Sequence, residues 1–176
     1  MIFLELVPRN YTELINDASW ALSNFTSINS INIPDILRIK NRSYNAAIEL
    51  AKQNIDTLPH IRITDFSESE LIKLCQQLIA NNVTKVLLIS GDPPPNHLQP
   101  IHKHSLPNVI KQLKKEYPNL TIYAGCDPYR QNLQAEIDYC NKKIDAGAKG
   151  LLTQPIFNPN MAEILLEQCI NQQWFI

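Results

Sequence analysis

Short apolar runs alternate along the chain with longer segments whose apolar residues recur every three or four positions. The first kind reads as buried strands, the second as amphipathic helices. The strand runs are IFLELV (2–7), SINI (30–33), HIRIT (60–64), KVLLIS (85–90), LTIYAG (120–125) and GLLTQ (150–154), and a seventh, WFI, begins at Trp174. Helix signals fill the gaps. Thr12 is placed to cap a segment carrying Leu14, Ile15, Ala18 and Leu22, and Ser43 precedes YNAAIELAKQ. Ser67 and Glu70 make a Ser-x-x-Glu capping box ahead of LIKLCQQLIA. The segment 106–117 stops at Pro118, 131–146 stops at Gly147, and 161–170 is the last. Each strand-plus-helix unit takes roughly 25–35 residues, the size of a βα repeat. Strict alternation implies a parallel sheet. The pattern alone leaves an open doubly wound sheet and a barrel on equal terms, because a full barrel usually takes about 250 residues. No linker divides the chain, so 1–176 reads as a single domain.

Composition narrows the class. The chain has 176 residues, 44% hydrophobic and 19% charged, enough to bury a core. A net charge of -1 argues against a nucleic-acid partner. No stretch approaches the roughly 20 apolar residues of a membrane helix, so no membrane partner is expected. MIFLELVPRN lacks a basic region and is interrupted by Glu5, which reads as a strand rather than a signal peptide. Cys75, Cys126, Cys140 and Cys169 are scattered, with no CxxC and no zinc spacing. They read as reduced thiols of a cytoplasmic protein, and no metal site is expected. No GxGxxG, P-loop or GxSxG is present.

In a parallel α/β domain, functional groups gather at the carboxyl ends of strands. Glu5 lies between Leu4 and Leu6, where desolvation would raise its pKa and suit it to general-acid work. An ion-paired or edge carboxylate is the plainer reading, with equal weight. KVLLIS runs into Gly91-Asp92-Pro93-Pro94-Pro95: glycine permits close approach of a ligand, aspartate supplies an acceptor, and the prolines stiffen the exit. The same residues also make an ordinary turn. Thr153 and Gln154 end the sixth strand, and the Gln154 amide offers a paired donor and acceptor to a heterocycle. A capping or loop-bonding role is the alternative there. His60 opens the third strand, where a lone histidine is more often structural. His97, His102 and His104 read as parts of a solvated loop rather than a metal site.

Together these pieces resemble the methylenetetrahydrofolate reductase family, through LELVPR (4–9), PHIRITD (59–65), LLISGDPPP (87–95) and NKKIDAGAKGLLTQPIFN (141–158). The last is the most specific, and the order of all four holds across nearly the whole chain. The resemblance implies an α/β, (β/α)8 TIM-barrel-like fold, incomplete here, with about six βα units plus the start of a seventh strand. It implies reduction of methylenetetrahydrofolate to methyltetrahydrofolate with NAD(P)H, and FAD at the carboxyl end of the strands. By position, Glu5 resembles the general acid that assists opening of the folate ring, Asp92 the aspartate near flavin and pterin, and Gln154 the glutamine that contacts the pterin. His60, Gly91, Ala124, Glu136, Lys142 and Lys143 match positions lining the flavin site, the lysines as point charges for its pyrophosphate.

Three positions depart from the family pattern: Ser90 stands for the usual Arg, Pro34 for Thr and Cys126 for Tyr. All three fall on the flavin side, so weak flavin binding is expected while the folate-side trio Glu5, Asp92 and Gln154 is kept. Two final βα units are missing relative to the family. An open parallel edge is therefore expected, covered by self-association or by a partner. Two further readings compete with a reductase: a non-catalytic or degenerate folate- or pterin-binding module, and a folate-linked methyl-transfer protein.

Overall fold

The computed structural model describes residues 2–92, 101–130 and 132–168, and the backbone of 173–175. Pro93 to Pro95, His97, Gln131, Cys169, Ile170 and Ile176 lie outside the described residues. The chain divides into two compact units, Met1–Lys103 and His104–Ile176.

The first unit holds β1 (Ile2–Glu5), α1 (Tyr11–Asn24), β2 (Ile28–Ile33), α2 (Ser43–Ala51), β3 (Thr57–Arg62), α3 (Glu68–Ala80) and β4 (Lys85–Ile89). Its strands pair in parallel and in chain order, β1 with β2, β2 with β3 and β3 with β4. Ile31, Ile33, Leu58, Ile61, Val86 and Leu88 are buried, and Leu14, Ala18, Ala46, Ala47, Leu71, Leu74 and Leu78 of the helices are buried too. The second unit holds α4 (Leu106–Glu116), β5 (Thr121–Cys126), α5 (Leu133–Asp145), β6 (Gly150–Thr153), α6 (Pro159–Gln168) and β7 (Gln173–Phe175). β5 pairs with β6 and β6 with β7, again parallel and in order. Ile122, Ala124, Leu151, Ile110, Leu113, Ile137 and Cys140 form its interior.

Sequential order within each unit separates the two topologies the pattern left open. A doubly wound sheet reverses its order at a switch point, and a barrel does not. The chain is α/β and TIM-barrel-like, an incomplete repeat of six βα units followed by a seventh strand.

Local chemistry accounts for the element ends. Ser67 and Glu70 make the capping box, the Ser67 Oγ accepting from the Glu70 N–H and the Glu70 carboxylate accepting from the Ser67 N–H at 2.7 Å. α1 is capped by Asn10 rather than Thr12, the Asn10 Oδ1 accepting from Thr12 N–H at 2.8 Å and Glu13 N–H at 3.3 Å. Asparagine is at least as good a cap and stands at the earlier boundary. β1 ends at Glu5 instead of Val7, and β3 starts at Thr57, ahead of Pro59.

Candidate functional site

In the first unit, the carboxyl ends of three adjacent strands carry a hydrogen-bonded relay. Asn32, buried near the end of β2, donates from Nδ2 to Glu5 Oε2 at 3.1 Å and presents its Oδ1 to His60 Nε2 at 2.8 Å. An amide oriented in this way requires His60 to carry its proton on Nε2. Glu5 and Asn32 are register partners across β1 and β2, which places the contact. Glu5 sits at the end of its strand with its outer side open to solvent. Partial burial raises its carboxyl above the ordinary value, and the Asn32 bond opposes that rise. His60 is enclosed more fully, and burial pushes its pKa down to about 4, against the pull of Asp35. It is a neutral imidazole near neutral pH.

Beside the relay lies a network of two arginines and two aspartates. Arg42 pairs with Asp35, Nε to Oδ1 at 2.9 Å and Nη2 to Oδ2 at 2.5 Å, and its Nη2 also reaches Asp65 Oδ2 at 2.7 Å. Arg62 donates from Nε to Asp65 Oδ2 at 3.2 Å and from Nη2 to the Asp92 carbonyl. Arg62 thus holds the Gly91-Asp92 turn. Gly91 has φ +83°, and a Cβ there would stand 2.9 Å from Thr64 Oγ1 and 3.1 Å from Arg62 Cζ. Only glycine fits. The Ser90 carbonyl accepts from the Thr64 N–H, while Thr64 Oγ1 is buried without a partner. The Asp92 side chain is exposed. Ser90 lacks the guanidinium usual at its position, and Arg62 brings one to the same turn from the neighbouring strand.

In the second unit, Gln154 follows β6 and is exposed, its N–H donating to the Cys126 carbonyl at 3.0 Å. The neighbouring Thr153 Oγ1 is buried and unpartnered. Lys143 is buried: its Nζ donates to the Gly125 carbonyl at 2.7 Å and lies 3.2 Å from Glu136 Oε1. Glu136 also accepts from the Asp127 N–H at 3.1 Å. Lys142 points outward and, with Arg130, Ala135, Glu136 and Tyr139, lines a surface cavity of about 390 Å³.

These positions bear on a flavin. Ala124 and Cys126 are buried in β5, the His60 Nε2 is taken by Asn32, and Lys143 is spent on Glu136 and a backbone carbonyl. Among the described side chains carried over to a flavin, Lys142 alone offers a charge to a pyrophosphate. Of these side chains, His60 and Lys143 are engaged by the chain's own groups, and Lys142 is exposed.

Sequence reasoning missed Asn32, Arg62 and Cys140. Asn32 and Arg62 each stand between isoleucines within an apolar run, a signal as strong as the one that picked out Glu5. Cys140 shares a helical face with Glu136 and Lys143, spaced four and three residues apart.

The methylenetetrahydrofolate reductase family model matches residues 23–174. A probable methylenetetrahydrofolate reductase (NADPH) of Caenorhabditis elegans is 26% identical over 139 residues, 75% of this chain and 21% of that protein. The 5,10-methylenetetrahydrofolate reductase of Buchnera aphidicola is 29% identical over 120 residues, 68% of this chain and 41% of that one. The Escherichia coli enzyme of the same name is 22% identical over 121 residues, with the same coverage of 68% and 41%. The chain thus spans less than half the length of these relatives. Among solved structures, 2,3-dimethylmalate lyase superposes with a TM-score of 0.73 at 10% identity, over 100% of this chain and 65% of that one. An aldolase named QR15 gives 0.69 at 11%, over 98% and 77%. At such identities the likeness is one of fold.

Proposed function

Because the chain belongs to the methylenetetrahydrofolate reductase family, we propose that it reduces methylenetetrahydrofolate to methyltetrahydrofolate, with Glu5, Asp92 and Gln154 meeting the folate. The reaction consumes one hydride and one proton. NAD(P)H supplies the hydride in this reading. Glu5 supplies the proton to the ring nitrogen released when the five-membered ring opens. A carboxyl does this best when its pKa is lifted toward working pH. The observation that carries the reading is the Glu5 carboxyl itself, raised by partial burial and bonded to the Asn32 amide. Asp92 accepts from pterin N–H groups, and Gln154 pairs with the pterin edge through its amide. The engagement of His60 and Lys143 by the chain's own groups supports leaving flavin out of these steps.

The experiment is NAD(P)H oxidation by the purified chain with methylenetetrahydrofolate, beside an absorbance spectrum and a folate-binding titration. Turnover that falls at least about a hundredfold in Glu5→Gln, with folate binding kept, is the expected result. Near-normal turnover in that variant removes Glu5 from the mechanism. Folate binding without turnover in the parent chain supports a binding module instead. Stoichiometric FAD surviving dialysis overturns the flavin-free part.

A further inference from the structure

Cys126 ends β5, and Cys140 lies on the buried side of α5. Their sulfur atoms and a Glu136 carboxylate oxygen all lie within 4.8 Å of one another, and all three residues are buried. Lys143 completes the cluster, its Nζ 3.8 Å from Cys140 Sγ and 3.2 Å from Glu136 Oε1. Two thiols and a carboxylate would suit a soft divalent cation. Here, however, the Lys143 ammonium already sits against the carboxylate and the Cys140 sulfur, with the Gly125 carbonyl and the Tyr139 ring, 4.3 Å to its centroid, around it. The charge of Glu136 is met by the ammonium, and its Oε1 also accepts from the Cys140 S–H at 3.7 Å, which leaves the two sulfur atoms beside each other.

We propose that Cys126 and Cys140 form a peroxide-reactive dithiol that closes to an intramolecular disulfide. Cys140 is the attacking sulfur, because it faces both the ammonium and the Cys126 S–H. The Cys126 bond and the ammonium hold its thiol below the ordinary value against the pull of burial and of the Glu136 carboxylate, whereas Cys126 is pushed up by its bond to Cys140 and by burial. Cys140 itself is buried, and Glu136, whose Oε1 lies 3.7 Å from its sulfur, lines the neighbouring surface cavity, so in this proposal a small peroxide approaches from that side. The Cys140 thiolate attacks one peroxide oxygen, the O–O bond breaks, and the departing alkoxide or hydroxide takes up a proton. Cys126 then attacks the sulfenyl sulfur of Cys140. The S–S bond forms, the S–O bond breaks, and water leaves with the Cys126 proton. Two thiols and one peroxide thus give one disulfide, one alcohol or water, and one further water. The step is independent of the folate reading. It acts one hydrogen bond from Gln154, whose N–H is held by the Cys126 carbonyl.

The test is reduction of the full chain, treatment with graded hydrogen peroxide, and non-reducing peptide mapping. Cys75 is the internal reference, a buried thiol pushed up to about 12 by burial alone. The expected product is a peptide pair joined through Cys126 and Cys140, two hydrogens lighter than the reduced pair. It forms on the order of tenfold or more faster than Cys75 is modified. Cys140→Ser abolishes the cross-link, and Lys143→Gln slows it. Should Lys143→Gln fail to fold, mapping of the unaltered chain still decides the matter. Cys126 and Cys140 staying as alkylatable as Cys75 overturns the proposal. So does cross-linking of either to Cys169, or one tightly bound zinc per purified chain.

Discussion

Asn32 can donate from one end of its amide and accept at the other, and that asymmetry orders its neighbours. Glu5 takes the donor and is favoured as a carboxylate by it, while His60 gives its Nε2 proton to the acceptor and stays neutral. Asn32→Ala is therefore expected to raise the Glu5 pKa further. The rise follows because the amide N–H favours the charged carboxylate, and burial then acts on Glu5 unopposed. Carboxyl-carbon NMR titration reads it directly, and an unchanged Glu5 titration would disconnect the pair. His60 makes a stability prediction. Its pKa is near 6.5 when unfolded and about 4 when folded, so between those values the unfolded chain binds more protons. Stability is complete above pH 6.5 and is lost as pH falls toward 4, by roughly 3 kcal/mol at full development. Urea titrations across that range are expected to show the slope, and His60→Gln to flatten it.

The elements were legible where their signals are local. The capping box of α3 needs four residues in a row and was read from them. Ser67→Ala is expected to cost about 1 kcal/mol in urea unfolding. The start of β3 was not legible, because proline has no N–H and reads as a boundary, yet Pro59 lies inside the strand, paired with Ile33. The Gly91-Asp92 sequence reads either as a place for close approach of a ligand or as an ordinary turn. What approaches, among the described residues, is the chain's own Thr64 and Arg62. Arg62 comes from a strand that precedes the turn by some thirty residues, and long-range contacts of this kind leave no local trace. Gly91→Ala is expected to destabilise by about 1–3 kcal/mol, through positive φ and the 2.9 Å approach to Thr64 Oγ1 together. A denaturation midpoint equal to that of the parent would show that the turn yields freely.

For the whole molecule, alternation of strand and helix gave the class, but strand order decided between barrel and open sheet, and order is a property of pairing rather than of any segment. Convergence of Cys126 and Cys140 was likewise hidden, because residues on a strand and on the helix after it meet only when the two pack. The pairing carries one more consequence. Among the described residues β1 pairs with β2 alone, which makes it an edge strand of its unit. Ile2 on that strand is 52% exposed, and Trp20 and Phe25, ring centroids 5.7 Å apart, add exposed aromatic surface in the same unit. A strand with a free edge and apolar flanks seeks another strand, and a charge on it discourages the pairing. We expect light scattering to give a mass above that of one chain, rising with concentration. Ile2→Lys is expected to bring it down without lowering the melting temperature, since Ile2 contributes little to the core. A monodisperse single chain in the parent protein would mean that this edge is covered by other means, and self-association would have to be abandoned.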